Sequence, residues 1–466
     1  MPKPSFSEFL DLASRYTVVP VWEEVLADRD TPVSAFEKLA GEGEAFLLES
    51  VEGGERWARW SFLGWDPAFT LTAKNGTVES AIALPDLDPV SVLGYVVERY
   101  AAPDLPGLPP LHSGLVGYLG YDCVRYIERL PNKPTDDRGL PEMVWQAVGA
   151  LAAFDRFEQT ITLVRNVYVG SDPAAQYRQA VAALADDAIR LGRSHPYRVA
   201  TRPAQVEPSS LASTMSQTAF EERVRSAKGS IRKGDAFQIV LSQRLEAAFT
   251  GDPFAVYRAL RLINPSPYLF FIRHPEVAVV GSSPELMTRV RDGFAFSRPI
   301  AGTRRRGGNV EEDRRLEEEL VADPKERAEH VMLIDLARND LGRVCEFGTV
   351  EVDDLMVVER YSHVMHLVSG ISGKLRPGMS QVDVLRATFP HGTVSGAPKV
   401  AAMEIIDRLE PVARGPYAGA VGYLDFSGNV DTAICLRTVV VADGRAWVQA
   451  GAGIVADSDP ATEYAE

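Results

Sequence analysis

The chain has 466 residues, 45% hydrophobic and 24% charged, and 49 basic against 64 acidic side chains give a net charge of −15. This excludes a mostly disordered chain and suffices for two or three domains or one large intertwined unit, while the acidic average field argues against a nucleic-acid partner. Cys123, Cys345 and Cys435 are far apart, no apolar run reaches membrane-spanning length and MPKPSFSEF is no signal peptide, so a cytoplasmic protein without a membrane partner is expected.

Residues 1–192 read as an N-terminal region of short strands and turns. Ala45–Ser50, Phe69–Ala73 and Ile161–Val169 are strand candidates by their β-branched and aromatic content. Asp172-Pro173 opens a helix, Val181, Leu184, Ala188 and Leu191 follow at helical spacing, and Gly192 ends it. Residues 193–217, rich in Pro, Ser and Thr, are the expected linker. Within 218–466, Thr218–Glu221 reads as a capping box. Phe220, Val224, Ala227 and Ile231 form one helix face, and Gly234 is the stop. A strand follows, with Phe237, Ile239 and Leu241 on one face and Gln238, Val240 and Ser242 on the other. Strands and helices then mix without strict alternation. The expected fold class is therefore α+β, with helices outside two packed, largely antiparallel sheets.

Four segments carry chemistry. In Asp323–Asp340, Asp323 caps a helix and Glu326 closes its capping box. Glu326 and Glu329, three apart, share a face that suits Mg²⁺ or describes a solvated acidic surface. His391–Ile406 runs from a small-residue loop into a helix with Val400, Met403 and Ile406 on its core face; its start suits an anion, or is a plain tight turn. Pro416–Val441 reads as a hairpin turning at Ser427–Asn429, with Arg437 buried in its second strand and facing either a structural acid or a ligand carboxylate. Gly451 and Gly453 lie in a strand, where glycine marks close approach of a ligand or another backbone. His363 and His366 would point to opposite faces of a strand, and a strand histidine also has a structural reading.

Taken in order, these segments resemble the chorismate-utilising enzymes, most closely anthranilate synthase component I. The resemblance rests on FQIVLSQR (237–244), NPSPYLFF (264–271), GSSPE (281–285), RPIAGTRRRG (298–307) and DPKERAEHVMLIDLARNDLGRV (323–344). It continues through YSHVMHLVSG (361–370), GTVSGAPK (392–399), YAGAVGY (417–423), CLRT (435–438) and GAGIVADSDP (451–460). Before residue 193 it is thinner: LLES (47–50), RWSFLG (59–64) and GLVGYLGYD (114–122).

The resemblance implies a sandwich fold with residues 1–192 regulatory and wrapping onto a catalytic 218–466. It also implies chorismate as substrate and Mg²⁺ held by Glu329 and Glu466, with Glu326 and Glu463 beside them. Glu285 would be the general acid, and His366 would serve the later steps. Gln238 stands where relatives that add water carry a lysine base. Thr303, Thr393, Gly451 and Gly453 would surround the ring carboxylate, with Gly302 beside them; Tyr417 and Arg437 would hold the pyruvyl carboxylate. Ser50, Pro267, Tyr268 and Leu269 would form a feedback site for L-tryptophan. No glutaminase nucleophile is present, so a separate glutamine amidotransferase subunit is implied. Ala301 stands where aminodeoxychorismate synthases, the runner-up reading, commonly carry a reactive lysine. A catalytically dead tryptophan-binding regulator is the alternative of another class.

Overall fold

The computed structural model describes residues 1–50, 59–196, 211–360 and 364–465. Most of the expected linker lies outside them, as do His363 and Glu466.

Two sheets face each other, and every strand-to-strand pairing in either is antiparallel. Both take strands from either side of the linker. In the first, Ala45–Glu49 pairs with Tyr268–His274, and the sheet continues through Val277–Ser283, Thr438–Ala442 and Arg445–Ile454 to Gln238–Ala248. In the second, Leu115–Leu119 pairs with Ala420–Leu424, and the sheet continues through Val430–Ile434, Leu286–Arg291 and Phe294–Ser297 to Val364–Lys374. Ile300–Arg305 and Glu351–Arg360 also pair with that last strand.

Strand alternation builds the layers. Phe46, Phe62, Tyr118, Phe270, Val279 and Tyr423 fill the space between the sheets. Their neighbours Leu47, Leu63 and Phe271 point outward under the helices Pro32–Leu39, Pro173–Gly192 and Pro253–Ile263. On the far side Pro89–Arg99, Pro324–Gly342 and Gln381–Thr388 cover the second sheet.

Asp172 caps its helix by accepting the Ala175 N–H, with Pro173 in the first turn. The next helix, Gln217–Lys233, begins earlier than the Thr218 box suggests: Ser216 is the cap and accepts the Ala219 N–H at 3.3 Å. Gly234 ends it in the left-handed region. Phe237 is 72% exposed and leaves the core face to Ile239 and Leu241. In the helix Lys399–Leu409 the core residues are Ala402, Met403, Ile405 and Ile406; Val400 is exposed because the face is rotated away from it.

The hairpin at Ser427–Asn429 forms between Ala420–Leu424 and Val430–Ile434. Arg437, however, is exposed and outside both strands. It sits with φ 49° where the chain leaves Val430–Ile434 in one sheet for Thr438–Ala442 in the other. The apolar run is two strands in two sheets, and Arg437 lies at the corner between them.

Candidate active site

The acid at the centre is Glu285, just before the strand Leu286–Arg291 and 3% exposed. Burial raises its pKa to about 8, against the opposing hydrogen bonds of the Thr393 hydroxyl and the Ile300 N–H. Thr393 Oγ1 donates to Glu285 Oε1 at 2.8 Å. The short 3₁₀ turn Gly392–Val394 holds Thr393 in place, capped by His391, whose Nδ1 accepts the Thr393 N–H at 3.4 Å.

On Val364–Lys374 of the same sheet, His366 Nδ1 lies 3.2 Å from the Gly302 carbonyl and 3.0 Å from Thr303 Oγ1. An Nδ1–H donated to that carbonyl puts the ring's lone pair on Nε2. Burial lowers the His366 pKa; the Gly302 carbonyl opposes this and the Arg437 charge adds to it. Gly302 is left-handed at φ 67°, and a Cβ there would stand 3.1 Å from Glu326 Oε2.

The acidic face forms as its spacing suggests, on the helix Pro324–Gly342 capped by Asp323. Asp323 accepts the Lys325 and Glu326 N–H groups, but the Glu326 side chain does not return to the cap. It accepts Arg304 Nη1 at 2.9 Å instead, because a full charge outside the helix is the stronger donor. Glu329 Oε1 accepts Gln238 Nε2 at 2.9 Å. Its pKa is raised by burial and, further, by the charges of Glu326 and Glu463, against the Gln238 hydrogen bond and the Lys325 charge. Carboxylates gathered at mutual cost fit a hard divalent cation chemically. Among the described residues, though, no three acidic, His or Cys side chains form a ligand cluster.

Gly453 closes on this corner: a Cβ would lie 2.8 Å from Gln238 Nε2. At Gly451 it would lie 2.7 Å from Tyr417 Oη. Thr303, Gly451 and Gly453 are exposed, so the cleft opens to solvent. Arg437 Nη1 reaches Asn264 Oδ1 at 3.3 Å.

Three residues of this site were not anticipated. His391 was hidden in a loop with no diagnostic spacing. Arg414, 2% exposed, donates to Glu410, to the Val394 carbonyl at 2.7 Å and to the Val240 carbonyl at 2.7 Å. It lies 5.7 Å from the Tyr417 ring centre. Glu410 in turn accepts the Ser242 N–H and hydroxyl. One buried ion pair thus ties together the segments bearing Thr393, Gln238 and Tyr417. The i,i+4 spacing of Glu410 and Arg414 was the only available signal.

Ser50, Pro267, Tyr268 and Leu269 come together elsewhere, on a cavity of about 400 Å³. Trp60, Phe62 and Tyr423 supply aromatic walls, and Arg289 and Asp431 supply charge.

A family model described as chorismate binding enzyme matches residues 43–466. The chain is 45% identical to anthranilate synthase component 1 of Acetivibrio thermocellus, over 99% of this chain and 96% of that one. It is 47% identical to the component 1 of Mycolicibacterium smegmatis, over 99% and 91%. Among solved structures it resembles anthranilate synthase component I from Streptococcus pneumoniae, with TM-score 0.80, 36% identity and coverage of 95% and 97%. The menaquinone-specific isochorismate synthase from Escherichia coli shares the fold, with TM-score 0.73, 19% identity and coverage of 99% and 96%.

Proposed function

The chain belongs to the chorismate-binding enzyme family, and we propose that it is an anthranilate synthase large subunit, converting chorismate and ammonia to anthranilate and pyruvate. The observation that carries this reading is Glu285, a buried carboxyl that keeps its proton near neutral pH beside the Thr393 hydroxyl. Glu285 gives that proton to the C4 hydroxyl, which leaves as water while ammonia bonds to C2 and the ring double bonds shift; the ammonium group so formed then loses one proton to solvent and becomes the amine. The proton on C2 is then removed, the C3–O bond breaks, and a proton reaches the enolpyruvyl carbon to release pyruvate. The Nε2 lone pair of His366 suits the first of those transfers. Gln238, a neutral amide, cannot take a proton from water, which suits ammonia, already nucleophilic. Ala301 has no amine to add to the ring, which favours anthranilate over 4-amino-4-deoxychorismate.

Glu329 and Glu466 would hold Mg²⁺, with Glu326 and Glu463 beside them, and the ion would supply charge for the ring carboxylate. Thr303, Gly302, Gly451 and Gly453 would position that carboxylate, and Tyr417 and Arg437 the pyruvyl group. A glutamine amidotransferase subunit would deliver ammonia, and L-tryptophan would inhibit from the aromatic cavity. Among the described residues no helix is long and apolar enough to cross a membrane. A cytoplasmic setting is the one we propose.

Incubating the chain with chorismate, Mg²⁺ and ammonium at alkaline pH tests the reading. Fluorescent anthranilate should form with equal pyruvate, and glutamine alone should not support turnover. An aminodeoxychorismate product without pyruvate would overturn it, as would tryptophan binding without any turnover.

A further inference from the structure

Thr393 Oγ1 stands between two acceptors and has one proton to give. Glu285 Oε1 is 2.8 Å away on one side and His391 Nδ1 is 3.1 Å away on the other. His391 Nδ1 and Glu285 Oε1 are themselves 3.6 Å apart. As the cap of its turn, His391 accepts the Thr393 N–H at Nδ1, which fixes that nitrogen as a lone pair and puts the ring proton on Nε2. A buried ring beside a cation stays neutral: burial and the Lys399 charge hold His391 down to about 3.

We propose that His391 is a positioning residue for Glu285, offering the Thr393 hydroxyl a second acceptor whenever Glu285 carries its proton. With Glu285 ionised, Thr393 donates to it. With Glu285 protonated, its O–H donates to Thr393 Oγ1, and the Thr393 proton turns to His391 Nδ1. Only hydrogen bonds exchange; no proton leaves Thr393. Without His391 the hydroxyl proton would have no acceptor on that side while Glu285 is protonated, and the acid form would lose support. The groups facing this trio are few. The Ile300 N–H points at Glu285 and Lys399 at His391, and Lys399 is paired to Asp340 at 2.6 Å. The inference rests on the proposed role of Glu285, but its test does not need turnover.

The Glu285 carboxyl can be titrated in the resting protein by infrared difference spectroscopy, its band identified by loss in E285Q. In H391L the midpoint should fall by roughly one pH unit, since one hydrogen bond to the acid form is lost. In H391N, whose amide oxygen can replace Nδ1, it should return toward the starting value. In a T393V background H391L should add nothing, because the hydroxyl that connects them is gone. A purely structural His391 would shift the midpoint in both backgrounds. Thermal melts of each variant establish folding. A folded H391L titrating as the parent does, or an additive shift in T393V, would overturn the proposal. Absence of anthranilate formation by the parent would instead overturn the assigned reaction and leave this titration readable.

Discussion

A carboxyl as buried as Glu285, to which the Thr393 hydroxyl and one backbone N–H donate, favours its neutral form, and this couples stability to pH. The folded pKa of about 8 lies above that of an exposed glutamate. Between the two values the folded chain keeps a proton that the unfolded chain has lost. Stability from this group is therefore greatest at low pH and declines as pH rises toward 8, by up to about 1.4 kcal/mol per unit. E285Q removes the ionisation. Calorimetric melts should show the variant less sensitive to pH than the parent and higher-melting at pH 9. Its anthranilate turnover should fall by about 10²- to 10⁴-fold, the usual scale for a lost acid. A variant with the parent's pH-dependence of melting would refute the buried-acid assignment.

The helix Pro324–Gly342 shows what one element contributes and what its sequence could reveal. Its cap, its first-turn proline and the shared face of Glu326 and Glu329 are local facts, and all were legible. The destination of the Glu326 side chain was not, because Arg304 lies across the fold and competes with the cap. Individual strands were readable from composition and alternation, whereas the pairing of Leu48 with Phe270 depends on contacts far apart in sequence. The same holds for Arg437, whose run looked continuous until two sheets divided it. Replacing Glu329 with Gln should barely change the helix, as the two residues have similar propensities. It also removes one of several crowded like charges, so the melting temperature should stay within about 2 °C. Turnover should collapse and be only partly restored by raised Mg²⁺, and calorimetric Mg²⁺ binding should weaken. Full activity at low Mg²⁺ would show that Glu329 is no ligand.

At the scale of the molecule, the first sheet joins the early and late parts of the chain where Ala45–Glu49 meets Tyr268–His274, and the aromatic cavity lies at that seam. Ser50, Trp60 and Phe62 come from one side; Tyr268, Tyr423 and Asp431 come from the other. Ser50 Oγ and Asp431 Oδ1 are buried without a hydrogen-bond partner among the described residues. Such atoms suit the polar head of an amino acid, as the aromatic walls suit an indole. Asp431 also pairs with Arg289, and the strand bearing Arg289 begins directly after Glu285. A ligand that tightens the seam can therefore bias the acid's position, which is the differential contact that coupling between sites requires. In S50F a phenyl ring enters this cavity, and displacing or overpacking it costs roughly 1–3 kcal/mol. Tryptophan inhibition at fixed chorismate should then weaken by roughly 5- to 150-fold. Ammonia-dependent turnover should remain, because among the described residues none of the proposed catalytic groups lines this cavity. If Ser50 were only a strand-end residue, S50F would melt earlier yet respond to tryptophan as before. Inhibition curves paired with thermal melts separate these outcomes, and an unchanged tryptophan response in a folded variant would remove the feedback site from this cavity.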